Sequence, residues 1–336
     1  MSKFAIFLAL PEELDHAISV LERYGEFSGD IKEKDAGQFR FRYNLSSHAQ
    51  TENRGTVCLI NGMGNSRSAA FVGNELSSGP LNGPRPEIAI LVGISGSLDP
   101  STADLTDVVI SSHVKHYHPD KLFDLPDGAE RLHARATTSA EPHFERTKGG
   151  ATRIDCRDII WDDCGIRYKR DCIYDAETAF KIGEFIEYIP QSKINISDTN
   201  GSKSKVVSGA ILGTNCVVDS RKFVDYLVDK NEDTSLDYYY LNNMDEFKER
   251  SKWNPMPLLA VDMESYGFFL SLNLLRGKRL QTAGYAVRGI SDLATNKSDL
   301  DQKTKGLVRK RAVENAVTVA LELIDYNLRN SSQRYS

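Results

Sequence analysis

The sequence has no apolar run long enough to cross a membrane, and its five cysteines form no C-x-x-C pair. An odd, scattered set of cysteines is typical of a reducing cytosol, so we expect a cytoplasmic protein. The net charge of −5 gives no basic field, which argues against a nucleic-acid binder. The first apolar run, Phe4 to Leu10, meets Pro11-Glu12-Glu13 at once, which predicts a strand and not a secretory signal.

Two glycine-rich stretches approach known motifs without completing them. Gly62-Met-Gly64 follows a predicted strand, but Arg67 occupies the place of the third glycine of a dinucleotide fingerprint. Gly93-Ile-Ser-Gly-Ser97 is close to the nucleophile elbow G-x-S-x-G, yet its last position is serine and Asp99-Pro100 interrupts the expected helix. The sequence therefore favours neither a nicotinamide site nor a serine hydrolase.

Three histidines, His113, His116 and His118, cluster near Asp120. A zinc site needs three or four converging ligands, held in orientation by further hydrogen bonds. Nothing else in the sequence supplies such a set. Solvated or hydrogen-bonded histidines are the favoured interpretation, and we predict neither a metal nor an organic cofactor.

Buried strands alternate with helices along the chain, which predicts an α/β fold with a central sheet. One predicted strand, Tyr285 to Val287, ends in Arg288 and then Ser291-Asp292. Another, residues 258–261, gives way to a helix at Glu264. Ligands of open α/β sheets bind just beyond the carboxyl ends of the strands, so these polar residues are candidates for a site.

The two carboxylates are expected to work in different environments. Glu264 begins a helix, whose dipole favours the ionised form that accepts hydrogen bonds from sugar hydroxyls. Asp292 has to be partly buried in order to donate a proton near neutral pH. The alternative for each is structural: a helix N-terminal charge at Glu264, and a surface pair between Arg288 and Asp292. Carboxylates held in different environments are the pattern of acid–base chemistry.

Two regions lack clear periodicity. Residues 119–155 are rich in charge, Gly, Pro and Thr, which predicts loops, and residues 228–255 are polar. We predict a single domain over residues 1–330 with insertions at about 119–205 and 228–255.

Four separated stretches resemble the nucleoside phosphorylase and nucleosidase superfamily, most of all 5′-methylthioadenosine/S-adenosylhomocysteine nucleosidase and its relatives. They are Ala9-Leu-Pro-Glu-Glu13, Val92-Gly-Ile-Ser-Gly-Ser-Leu-Asp-Pro100, Ala260-Val-Asp-Met-Glu264 and Val287-Arg-Gly-Ile-Ser-Asp292. The resemblance covers most of the chain and is thin in the two insertions. It implies a three-layer α/β fold with a central mixed, twisted sheet.

The resemblance also implies a role for each matching residue. Asp292 corresponds to the acid that protonates N7 of a leaving purine, and aspartate here is typical of members that handle adenine. Glu13 corresponds to the residue that activates the attacking water, with Arg288 as its partner. Glu264 corresponds to the carboxylate that holds the ribose hydroxyls, and Met263 packs on the sugar. Further substrate contacts are implied for Ser95, Gly96, Val217, Val218 and Ser291.

The backbone at Val217 and Val218 would face the edge of the base. The usual Ser-Gly-Asp of the family just before it is here Gly213-Thr-Asn215, which predicts an altered base pocket.

Phosphorylases of the family hold phosphate with an arginine just before the glycine turn and a serine or threonine inside it. Here these places are Leu91 and Ile94, which cannot give a phosphate dianion its charge-assisted hydrogen bonds. Water is therefore the expected nucleophile, although Ser95 keeps phosphorolysis open as an alternative.

The resulting prediction is a cytoplasmic hydrolase of adenine nucleosides or nucleotides, which the resemblance implies to be a homo-oligomer (a dimer or hexamer). The 5′ group stays open, because related domains that remove adenine from AMP or ATP, including some in antiphage defence, also carry extensions. The second alternative is a catalytically silent nucleoside-binding sensor.

Overall fold

The computed structural model describes residues 3–28, 32–34, 38–46, 52–78, 85–124, 144–146, 152–154, 164–188, 196–215, 217–219, 224, 257–276, 282–295 and 301–333. In chain order the elements are β1 (Phe4–Leu8), α1 (Pro11–Tyr24), β2 (Gly25–Phe27), β3 (Lys32–Lys34), β4 (Gln38–Ser46), β5 (Glu52–Leu59), α2 (Asn65–Ser78), β6 (Ile88–Ser97), β7 (Val108–Ser111), β8 (His113–Asp124), β9 (Phe144–Arg146), β10 (Thr152–Ile154), β11 (Cys164–Tyr174), α3 (Ala176–Tyr188), β12 (Val206–Ser208), β13 (Ala210–Gly213), β14 (Leu258–Asp262), α4 (Ser265–Arg276), β15 (Ala283–Asp292) and α5 (Gln302–Gln333).

These strands form one mixed sheet with helices on both faces. Alternate residues of β1 enter different cores, because successive side chains of a strand point to opposite faces. Ile6 and Leu8 pack with α1, α3 and α5, whereas Ala5 and Phe7 pack with α2 and α4. The predicted three-layer α/β class with a central mixed sheet is therefore confirmed.

Three parallel strands at the centre of the sheet align the polar residues of the site. β6 pairs in parallel with β1 on one side and with β15 on the other, so Val92 lies opposite both Leu8 and Val287. The next pair in the same register is Gly93 opposite Arg288. β14 runs antiparallel to the end of β6, which brings the start of α4 to the same place.

Two strands run further than the sequence predicts. β15 continues through Arg288 to Asp292, and β6 continues through Gly93 to Ser97. Polar residues and glycines end an apolar run in the sequence, but they do not end a strand whose backbone is paired on both sides. β15 is such a strand, since it pairs with β6 and with β7. Arg288 therefore lies inside a strand and not in a loop beyond it.

The region predicted as loops, 119–155, also contains strands. β8 runs on to Asp124 and pairs with β11, while β10 joins β11 to β9. Backbone pairing at a sheet edge needs no apolar periodicity, which is why the pattern gave no sign of it. The other predicted insertion, 228–255, lies outside the described residues, and the single domain over 1–330 stays a prediction. Among the described helices, none has the length and apolar character of a membrane span.

Candidate active site

Arg288 is fully buried at the middle of the sheet. Its Nε donates to Asp262 Oδ2 at 2.6 Å, and its Nη2 donates to Glu264 Oε2 at 3.1 Å. Burial opposes the charge on the guanidinium, but Asp262, Glu264 and Glu13 together raise the pKa of Arg288. Because a buried charge is tolerated only when it is paired, this arginine depends on its carboxylates.

Asp262 ends β14 and caps α4. Its Oδ1 accepts hydrogen bonds from the backbone N–H of Ser265 at 3.0 Å and of Glu264 at 3.3 Å. Its Oδ2 accepts from the Ser265 hydroxyl and from Arg288. Asp262 therefore holds both the guanidinium and the backbone that carries Glu264. No role was assigned to it from the sequence, although an aspartate just before an apolar helix is a common N-cap signal.

Glu264 is buried between the arginine and the glycine turn that precedes α2. Its Oε1 accepts a hydrogen bond from the Gly64 N–H at 3.3 Å, and its other oxygen, Oε2, accepts the bond from Arg288. Burial raises the pKa of Glu264 to about 7, although the charge of Arg288 opposes the shift. The sequence predicts an ionised carboxylate stabilised by the helix dipole. In the structure burial outweighs the dipole, so this carboxyl titrates near neutrality.

Glu13 lies in the first turn of α1 and accepts three backbone hydrogen bonds. Its Oε2 accepts from the N–H groups of Ala9 and Leu10, and its Oε1 accepts from that of Ile94, each at 3.0 Å. Burial raises the pKa of Glu13, while Arg288 and the three N–H groups oppose the shift. The carboxylate is thus fixed in position by the two residues that follow β1 and by a residue inside β6.

Gly93 separates Glu13 from Arg288. A Cβ at this position would lie closer than 3.0 Å to both Glu13 Oε1 and Arg288 Nη1, so both side chains pack directly against the glycine and leave no room for a larger residue. Among the residues that the structure describes, Nη1 has no hydrogen-bond partner. Sequence reasoning paired Arg288 with Glu13. The structure brings them together across Gly93, but the hydrogen bonds of the arginine go to Asp262 and Glu264.

Asp292 lies at the end of β15, half-buried, with Ser291, Ser95 and Gly96 around it. Its Oδ2 accepts from the Ser291 hydroxyl at 3.2 Å, and its Oδ1 accepts from the Ala294 N–H at 2.9 Å. A Cβ on Gly96 would lie 2.7 Å from Asp292 Oδ1. The structure therefore brings four predicted site residues together at the end of β15, where Asp292 lies four residues beyond Arg288.

The other predicted substrate-binding residues differ in their exposure to solvent. Met263, next to Glu264, is half-buried, Val218 is buried, and the side chain of Val217 is 62% exposed.

The three clustered histidines of the sequence have different surroundings in the structure. His116 donates from Nδ1 to the Gly213 carbonyl at 2.5 Å and stacks on Tyr266 with ring centroids 4.1 Å apart. His113 is buried, and the side chain of His118 lies outside the described residues. In the part of the chain that the structure describes, no group of His, Cys, Asp and Glu is arranged to hold a metal ion.

No protein-family model matches this sequence, and no curated protein sequence matches it. Solved structures do. The 5′-methylthioadenosine/S-adenosylhomocysteine nucleosidase of Neisseria meningitidis, in complex with methylthio-immucillin-A, aligns over 97% of this chain and 100% of its own at 15% identity and a TM-score of 0.53. Futalosine hydrolase of Helicobacter pylori aligns over 96% of this chain and 97% of its own, at 12% identity and a TM-score of 0.53.

A second Helicobacter pylori structure gives the same result. Its 5′-methylthioadenosine/S-adenosylhomocysteine nucleosidase, with butyl-thio-DADMe-Immucillin-A, aligns over 97% of this chain and 99% of its own at 12% identity and a TM-score of 0.53. The chain thus has the fold of these nucleosidases, which is the fold that its motifs imply.

Proposed function

We propose that this protein is an N-glycosyl hydrolase that releases the base from an adenine nucleoside or nucleotide. The observation that carries the proposal is the convergence of three carboxylates, Asp262, Glu264 and Glu13, on the buried Arg288, with Asp292 four residues further along the strand of the arginine. A fold gains little stability from burying three carboxylates around one guanidinium, because desolvation offsets most of the attraction. Such a cluster is more often retained for chemistry.

In the proposed reaction the bond between C1′ of the ribose and N9 of the base breaks, and its electron pair goes to the base. Asp292 donates a proton to N7, which makes the base a better leaving group. Positive charge develops on the ribose as the bond breaks, and Glu264 accepts hydrogen bonds from the ribose hydroxyls beside that charge. The oxygen of a water molecule bonds to C1′, and Glu13 takes the proton that the water loses.

The polar groups on either side of Gly93 favour water over phosphate as the nucleophile. Arg288 Nη1 is a donor and Glu13 Oε1 is an acceptor, and water can accept from the first and donate to the second. A phosphate dianion would face the carboxylate of Glu13. Leu91 is buried in the core of the α2 side and Ile94 packs in the opposite core, so neither position supplies a cation.

The choice of an adenine base rests on Asp292 and on the resemblance of the motif around it. Two of the structural neighbours were solved with methylthio-immucillin-A or butyl-thio-DADMe-Immucillin-A, and a third is named futalosine hydrolase. These names do not point to one common substrate. Both a thioether and a phosphate are candidates for the 5′ group in this protein.

Product analysis on the purified protein tests the proposal. Adenosine, methylthioadenosine, S-adenosylhomocysteine, AMP and ATP are each incubated with and without phosphate, and free adenine and the sugar are separated by chromatography. We expect free adenine together with a sugar that carries no phosphate on C1′, at a rate independent of added phosphate. The preferred substrate identifies the 5′ group.

Two other outcomes would overturn the proposal. A sugar 1-phosphate that forms only with added phosphate would make the protein a phosphorylase. Binding of a nucleoside without turnover would make it a sensor.

A further inference from the structure

Asn65, the first residue of α2, joins three segments that are distant in the sequence. Its Nδ2 donates to the Thr214 carbonyl at 2.9 Å and to Asn215 Oδ1 at 3.3 Å. Its Oδ1 accepts from the Gly267 N–H at 3.1 Å, in the first turn of α4. The side chain of Asn65 is buried, so its two bonds to backbone groups are made out of contact with bulk water, whereas the bond to Asn215 is only partly buried.

The two backbone partners fix the orientation of the Asn65 amide. Thr214 O only accepts and Gly267 N–H only donates, so the amide must place Nδ2 toward one and Oδ1 toward the other. An aspartate would place an oxygen against the Thr214 carbonyl, and an aliphatic side chain would leave both backbone groups without their bonds. Asparagine is the residue whose donor and acceptor match this site.

The three joined segments each contribute to the proposed active site. Residue 64, immediately before Asn65, donates its N–H to Glu264. Gly267 lies one turn into the helix that Glu264 precedes. Thr214 and Asn215 lead directly into Val217 and Val218, where the base edge is expected.

The backbone of α4 approaches α2 and the end of β13 closely at this junction. A Cβ on Gly267 would overlap the backbone oxygen of Asn65, and a Cβ on Gly213 would lie 2.6 Å from Tyr266 Cβ. The first turn of α4 is therefore pressed between α2 and the end of β13. The Thr214 N–H also donates to the Asp262 carbonyl at 2.8 Å, which ties the same segment to the cap of α4.

We infer that Asn65 is the positioning residue that sets the base-binding segment, of which the structure describes residues 214, 215, 217 and 218, at a fixed distance from the ribose-binding carboxylate Glu264. The inference rests on the proposed function, since it assigns the two ends of the junction to the base and to the ribose. Loss of Asn65 weakens the binding of the base and leaves the proton donor Asp292 and the water-activating residue Glu13 in place. Nucleoside binding then weakens more than the bond-breaking step.

The test compares Asn65→Ala with Ser271→Ala. Ser271 joins the same two helices one turn further along, and its described hydrogen bonds go to the carbonyls of Ala69, at 2.8 Å, and Gly267, and not to Thr214 or Asn215. We expect Asn65→Ala to raise the KM for the nucleoside by about tenfold or more, the effect of losing a buried hydrogen bond, with a smaller fall in kcat. Ser271→Ala should leave both constants close to those of the wild-type protein.

Amide hydrogen exchange gives a readout that does not depend on turnover. The peptide that contains Thr214 should exchange faster in Asn65→Ala than in the wild type or in Ser271→Ala, because opening of this segment exposes the Thr214 N–H. A second variant, Asn215→Ala, serves if Asn65→Ala does not fold. It removes only the 3.3 Å bond between Asn65 Nδ2 and Asn215 Oδ1, and Asn215 is exposed, so the variant should fold. It should raise KM by a smaller factor, about threefold.

Three results would overturn the inference. They are an unchanged KM in both Asn65→Ala and Asn215→Ala, an equal effect of Ser271→Ala, and exchange at residue 214 that does not change. Failure of the proposed function looks different: the wild-type protein itself would release no base, while the exchange of the Thr214 peptide would still report whether Asn65 holds the segment.

Discussion

Arg288 and Asp262 form a buried ion pair between two strands that both neighbour β6. Nε of the arginine lies 2.6 Å from Oδ2 of the aspartate, and each side chain is almost completely shielded from solvent. The same aspartate caps α4 and fixes the backbone N–H of Glu264. One carboxylate therefore sets the positions of the arginine and of the glutamate that the proposed mechanism uses.

Replacement of Asp262 by Asn should destabilise the protein and slow catalysis together. Removal of one partner from a buried ion pair typically costs about 3–5 kcal/mol, because the other charge stays buried. Thermal or urea denaturation measures this loss, and steady-state kinetics measures the fall in kcat.

The matched control for Asp262→Asn is Asp301→Asn. Asp301 caps α5 with the same pattern, since its carboxylate accepts from the backbone and the hydroxyl of Thr304, but it is exposed and its described hydrogen bonds involve no arginine. A similar loss of stability in both variants would mean that capping, and not the pairing of Arg288, is the main role of Asp262.

Asp292→Asn should abolish base release and leave nucleoside binding detectable. An amide cannot donate the proton that N7 needs, and general acid catalysis is typically worth about 10²–10⁴ in rate. Single-turnover kinetics and calorimetric binding separate the two effects. A variant that stays active would show that another group is the acid.

Glu13→Gln should slow hydrolysis by a comparable factor. The carboxylate accepts three backbone N–H bonds, and an amide group would direct its own N–H toward at least one of these donors while losing the capacity to take a proton from water. The control is Glu12→Gln, the exposed neighbour in the same turn, which should leave the rate unchanged. Equal rates for Glu13→Gln and the wild type would move the activation of water to another group.

Activity should rise as the pH increases through about 7, because Glu264 changes from the protonated to the ionised form there. The ionised form has both oxygens available as acceptors for ribose hydroxyls, whereas the protonated form has lost the charge that favours the developing cation. The pH profile of kcat/KM reports the groups of the free enzyme and is the measurement to make. Glu264→Gln should be slow, and its profile should lack this limb.

Stability should depend on the same group with the opposite sign. The folded state keeps the Glu264 proton to a higher pH than the unfolded state, whose glutamate has an ordinary pKa of 4.5. Its contribution to the free energy of unfolding is therefore lost as the pH rises from 4.5 to about 7. A pH dependence of stability that is the same in Glu264→Gln and the wild type would contradict the assignment.

Gly93→Ala should be strongly deleterious, because its methyl group would clash with Glu13 Oε1 and Arg288 Nη1. Both activity and stability are expected to fall, since the clash displaces a buried arginine and the two groups that are proposed to bind the attacking water. Gly183→Ala is the control, because a Cβ there meets no atom within 4 Å. If Gly93→Ala folds and turns over at the wild-type rate, the water lies elsewhere.

Short sequence patterns were sufficient to predict the layered fold and the positions of several polar residues. Alternation of apolar runs with helices predicts the α/β class because burial on both faces of a strand demands such runs. The motifs around Glu13, Glu264, Arg288 and Asp292 identified residues that the structure brings to one end of the central strands. The chemical roles of these residues stay predictions that the experiments above test.

Relations between residues that are distant in the chain were decided only by the tertiary structure. The Arg288–Asp262 pair and the Asn65 junction depend on strand register and on helix contacts, and a sequence carries no local signal of either. The protonation of Glu264 was likewise set by its surroundings, since burial outweighs the helix dipole that the sequence made visible. Sequence determined which groups are present, and packing decided their partners and their charge, because both depend on distances that folding alone establishes.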